Sequence, residues 1–116
     1  MRRPDDQALL ADIVIAAHEA QAIASGLSKE QFAGDRLAQL AVAKLIEVIG
    51  AAASRLSESV RASTSDVPWA AIIGMRDRLV HDYGDVDYEI VWEVARTRLP
   101  SLLKALEPLL PPDEGD

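Results

Sequence analysis

The segment "DRLAQLAVAKLIEVIGAAASRLSESV", residues 35–60, constrains the fold more than any other stretch. Leu37, Leu40, Leu45, Ile46, Ile49 and Leu56 recur at helical spacing and keep one broad face apolar. Among them Ala41, Ala43, Gly50, Ala51, Ala52 and Ala53 are small enough to let another backbone approach closely. That surface suits either packing inside a bundle or a seam between two copies. With one Phe, two Trp and two Tyr in 116 residues, the composition also favours close helix packing over aromatic-rich sheets.

Three more helices complete an all-α, antiparallel bundle of four main helices in a single domain, 1–116. The first spans about Asp6 to Ser25, with Leu10, Ile13, Val14 and Ala17 on one face and Gly26 placed to end it. Ser28 and Gln31 form a capping-box pattern that should start the second. "RASTSDVP" is a polar break, with Asp66 an expected N-cap and Pro68 in the first turn of the third helix. Asp87 should cap the fourth, which carries Ile90, Val91, Val94, Leu99, Leu102, Leu103 and Leu106; Pro100 should kink or divide it. From about residue 111 the chain reads as a frayed tail.

The formal charge of −7 disfavours broad electrostatic binding of nucleic acid but leaves room for a small site built on a few arginines. Without cysteine there is no disulfide or thiolate metal site, and two histidines do not make a conventional zinc centre. Asp5, Asp6 and Asp12 interrupt the N-terminal segment, so it does not read as a signal peptide. No charge-free run of about twenty apolar residues occurs, so no membrane span is expected and a cytoplasmic protein is. His18 falls at the edge of the first helix's apolar face and is assigned no catalytic role.

The third helix contains an anomaly. At about 100° per residue, Trp69, Ile72, Ile73, Leu79 and Val80 all lie within about 60° of Arg76, which is thus centred on the apolar stripe. Burying an unpaired guanidinium costs several kcal/mol, so Arg76 must meet an anion, reach a crevice or face a wet interface. An internal ion pair with Glu47 or Glu93 is one solution, and snorkelling along the stripe is another. Asp77 and His81, four residues apart, share a face, and Tyr83 falls on Arg76's side if the helix persists. Together they make a phosphate site, because arginine binds phosphate oxygens bidentately and histidine moves protons near neutral pH.

"RDRLVHDY" resembles the arginine, four residues, histidine, any residue, tyrosine pattern of the HepT toxins of the HEPN superfamily. The resemblance extends through Trp69, Gly74, Val86, Asp87 and Trp92, and back into the long second helix. It implies a homodimeric endoribonuclease of a toxin–antitoxin pair, needing no metal or cofactor, with Arg76 and His81 catalytic and Asp77 supporting. It implies two partners: an RNA substrate, either transfer or messenger RNA, and an MntA-type nucleotidyltransferase antitoxin that adds AMP to Tyr83. The chain departs from the pattern at Ala51, where many family members carry glutamate. The alternative is a non-catalytic HEPN dimer that binds nucleotide or docks a nucleotidyltransferase. A purely structural bundle would need Arg76 neutralised internally.

Overall fold

The computed structural model describes residues 4–80 and 87–111, and the side chains of 5–74 and 87–111. Every regular element among them is helical, as expected from the sequence. They are α1 (Pro4–Ser25), α2 (Lys29–Ala33), α3 (Arg36–Arg55), α4 (Glu58–Ser63), α5 (Trp69–Val80), α6 (Tyr88–Glu93), a π-helical turn (Val94–Arg98), α7 (Leu99–Leu106) and a 3-10 turn (Glu107–Leu109).

Packing follows the apolar periodicity. Leu10, Ile13, Val14 and Ala17 of α1 are buried together with Val42, Ile46 and Ile49 of α3 and with Val91, Val94, Leu99, Leu102, Leu103 and Leu106 of the C-terminal helical run. Each large aliphatic side chain so buried contributes roughly 1.5–3 kcal/mol of transfer free energy. α3 packs on both α1 and α5, whereas the π turn and α7 lie against α1. Ala43, Gly50, Ala52 and Ala53 are buried on α3, as the close-approach reading requires.

The expected long second helix is three pieces. The Ser28 capping box forms in full, with Ser28 Oγ accepting from Gln31 N at 3.0 Å and Gln31 Oε1 accepting from Ser28 N at 2.8 Å, but it starts only the short α2. Asp35 then caps α3 by accepting from Ala38 N, and buried Gln39 donates to the carbonyls of Phe32 and Ala33, fixing the elbow. At the other end α3 stops at Arg55, and Ser57 caps α4. The apolar face is narrower than its pattern, since Leu37 is 80% exposed and Leu40 39%.

A buried carboxylate joins the beginning of the chain to this second break. Asp6 Oδ1 accepts from Ser57 N at 3.0 Å and Oδ2 from Ser57 Oγ at 2.7 Å. Asp6 thus anchors the first turn of α1 to the α3–α4 corner, where sequence showed only an acid in a helix start.

Two other expectations need correction. α5 begins at Trp69, so Asp66 does not cap it and Pro68 precedes its first turn. The C-terminal helix is divided, but upstream of Pro100: Leu99 N donates to Val94 O across a π turn, and Pro100 follows near the start of α7. The wider turn absorbs the donor that proline lacks, as a π bulge can. Asp87 caps α6 as expected, accepting from Glu89 N and Ile90 N.

By length and composition alone, Asp5–Ser25 and Arg36–Arg55 are apolar enough to cross a membrane, contrary to the sequence expectation. In the fold they pack on each other, with about half of each apolar window buried. Their hydrophobicity serves the core.

Candidate active site

α5 carries the first five positions of the motif, 76–80, and its beginning is firmly moored. Trp69 and Ile72 are buried and Ile73 half-buried, whereas Ala70 and Ala71 are exposed. Trp69 Nε1 donates to Thr64 Oγ1 at 2.8 Å, and Thr64 Oγ1 donates to Val60 O at 2.8 Å. This chain fixes the indole, and with it the rotation of α5 on α3. Sequence treated Thr64 as part of a polar break; a hydroxyl five residues before a tryptophan is too common a pattern to have marked it.

Positions 76 and 77 lie within α5, in unbroken helical register with Trp69 and Ile72. Position 76 is thus in helical register with the face that these two residues turn inward. The side chains of Arg76 and Asp77 lie outside the described residues, as do His81 and Tyr83 entirely. Of the acids considered as internal partners for Arg76, Glu47 bonds Lys44 Nζ at 3.1 Å, and Glu93 is exposed. No group of three or more metal-ligating side chains gathers among the described residues.

Beside the first turns of α5 the bundle opens. The 64–68 turn and Ile72 on one side, and the C-terminal helical run on the other, enclose a cleft of ≈ 450 Å³. Its floor is apolar, with Val67, Pro68, Ile72, Leu102 and Ala105; its rim holds Asp66, Glu93, Thr97, Arg98 and Ser101. A volume of this size suits a small ligand or one unit of a polymer. The π turn shapes the wall, because an extra residue in the turn brings adjacent Thr97 and Arg98 both onto the cleft. Sequence placed Pro100 as a break but gave no sign that the register would widen ahead of it.

Charge is sparse around this cleft. Of the arginines that could form a basic rim, Arg98 lines it, and Arg96 sits over the Trp92 ring, 5.3 Å from its centroid. Trp92 in turn packs on Phe32, with centroids 5.3 Å apart. Arg55 is exposed at the end of α3, Arg61 is half-buried on α4, and the Arg78 side chain lies outside the described residues. His18 pairs with Glu107 at 3.0 Å, both about half exposed, which agrees with its assignment to a solvated helix edge.

An all-helical bundle whose α5 carries position 76, the first residue of the Arg-x4-His sequence, beside a ligand-sized cleft is consistent with the HEPN class. Residues 13–109 match the family model described as Ribonuclease HepT-like, and the chain belongs to that family. A provisionally named RNase of Methanocaldococcus jannaschii is 31% identical over 115 residues, covering 99% of this chain and 95% of that protein. Another from Caldanaerobacter subterraneus subsp. tengcongensis is 39% identical over 85 residues, 73% of this chain and 76% of the other. The "Probable ribonuclease HepT" of Thermococcus cleftensis is 32% identical over 80 residues, 69% and 73% of the two chains. No solved structure matches this chain.

Proposed function

We propose that this chain is the toxin of a toxin–antitoxin pair, a metal-independent endoribonuclease whose catalytic residues are Arg76 and His81. The observation that carries the reading is the match of residues 13–109, which include the "RDRLVHDY" motif, to the ribonuclease family. The motif's arginine position is in helical register with the inward face of α5.

The chemistry follows from the residue types. The RNA 2′-hydroxyl attacks the adjacent phosphorus, the bond to the 5′-oxygen breaks, and a 2′,3′-cyclic phosphate and a 5′-hydroxyl result. His81 transfers the proton, and Arg76 stabilises charge on the phosphoryl oxygens. Asp77, four residues before His81, supports the imidazole.

In this reading the enzyme is a cytoplasmic homodimer, and its site lies in a wet cleft between subunits. Gly74 supports that arrangement. A glycine inside a helix costs roughly 0.5–1 kcal/mol relative to alanine, yet a Cβ added at Gly74 meets no described atom within 4 Å. Close approach of a second backbone would explain its use. A nucleotidyltransferase antitoxin would silence the toxin by adding AMP to Tyr83, two residues from His81, where a bulky anion repels RNA phosphate.

The test is cleavage of single-stranded transfer and messenger RNA by the purified dimer in the presence of a chelator, with end-group analysis. Cyclic phosphate ends that vanish in His81→Ala support the reading, and cleavage indifferent to His81 or dependent on added metal overturns it. Growth arrest relieved by a neighbouring nucleotidyltransferase gene, with one AMP on Tyr83 by mass spectrometry, tests the antitoxin half. If the soluble dimer cleaves no RNA but binds nucleotide through Arg76, the non-catalytic module replaces the enzyme.

A further inference from the structure

The cleft beside α5 has features that phosphate chemistry does not need. Among the described residues its rim carries two carboxylates, Asp66 and Glu93, and one guanidinium, Arg98, a balance that disfavours a phosphate inside. Its floor is a set of apolar side chains suited to a flat, weakly polar body. The chain's net charge of −7 removes the usual means of holding RNA, which is displacement of counterions by a basic surface. Contacts with bases would then add affinity beyond that of a few arginines, and unpaired bases splayed from a single strand are what proteins read by stacking and edge hydrogen bonds.

The rim holds an acceptor and a donor of the kinds one base edge needs. Glu93 precedes the π turn and Arg98 is its last residue, five positions on, and both line the cleft. The ion pairs among the described side chains, His18 with Glu107 and Lys44 with Glu47, use neither of them. Guanine presents, side by side, one acceptor (O6) and two donors (N1–H and N2–H). A carboxylate accepts both donors at once, and an adjacent guanidinium donates to O6. Adenine, cytosine and uracil each turn a ring nitrogen lone pair or a carbonyl toward such a carboxylate, which repels it.

We propose that the cleft enclosed by the 64–68 turn, Ile72 and the π turn is a guanine-binding pocket, in which Glu93 reads N1–H and N2–H of an unpaired RNA base and Arg98 reads O6. The inference rests on the ribonuclease reading for its substrate. Ile72 and Arg76 are one helical turn apart on α5, so a guanine held against Ile72 lies next to the proposed scissile phosphate. Glu93 and Arg98 are specificity-determining residues, separate from the catalytic pair.

The experiment has two arms that fail separately. In the first, guanosine, adenosine, cytidine and uridine are titrated into the intact protein and followed by calorimetry and by NMR shifts of the 93–105 amides. Guanosine binds best, and Glu93→Gln, an exposed and nearly isosteric change, weakens it roughly ten- to a hundredfold. In the second, a randomised single-stranded RNA is cleaved and the ends are sequenced; guanine is enriched at a fixed position beside the cut, and Glu93→Gln erases the enrichment. Equal or absent binding of the four nucleosides, or a preference untouched by Glu93→Gln, overturns the pocket. Guanosine binding that needs Glu93 in a protein that cleaves no RNA supports the pocket and refutes the nuclease.

Discussion

α1 and α5 both pack on α3, but they are held differently. α1 is buried along its length against α3 and the C-terminal run, and Asp6 ties its start to Ser57. α5 rests chiefly on α3, is fixed near its beginning by Trp69 and Thr64, and has the cleft at its side. The difference separates two tasks. A helix committed to the core on several sides has no room for a substrate, whereas one held at its beginning can present polar residues farther along without leaving an unpaired charge in the core.

The comparison breaks most visibly through the motif. Arg76→Ala and His81→Ala should each lower RNA cleavage about 10²–10⁴-fold with little change in melting temperature, as read by gel-based kinetics and calorimetry. If Arg76→Ala instead chiefly changes stability, position 76 belongs to the core and the two helices are alike after all. Leu10→Ala on α1 should do the reverse, costing roughly 2–5 kcal/mol in denaturant titrations while the folded fraction keeps its turnover.

Smaller changes sharpen the contrast. Ser57→Ala removes the hydroxyl that donates to the buried Asp6 carboxylate and should cost about 1–3 kcal/mol, with cleavage unaffected. Gly74→Ala should stabilise the folded chain by roughly 0.5–1 kcal/mol while weakening self-association in sedimentation; tighter association would remove Gly74 from the interface. Smallest of all, His18→Ala breaks an exposed pair with Glu107 and should shift stability by less than about 0.5 kcal/mol.

Much of this division was visible in the residues, for reasons specific to each. The apolar spacing of α1 and of the C-terminal run placed its core positions correctly, because a periodic stripe has one way to be buried. Asp87 and the Ser28 box capped helices as expected, since capping depends on neighbours within four residues. Leu37 and Leu40 misled: their pattern extends the apolar face of α3, but both are exposed in the first turns after the Asp35 cap. Asp66 misled too, since α5 begins only at Trp69, three residues beyond it.

Local chemistry therefore determined the helical class, most helix starts and the helical register that position 76 shares with Trp69 and Ile72, because each depends on residues within a turn or two. Tertiary structure decided what required distant partners. Asp6 and Ser57 are 51 residues apart in sequence, and the cleft is formed by residues from 66 to 105. The π turn ahead of Pro100, which sets Thr97 and Arg98 side by side on the cleft, also belongs here. A pattern in sequence shows which face a residue takes; the other segments of the chain decide whether that face meets a helix, solvent or an open cleft.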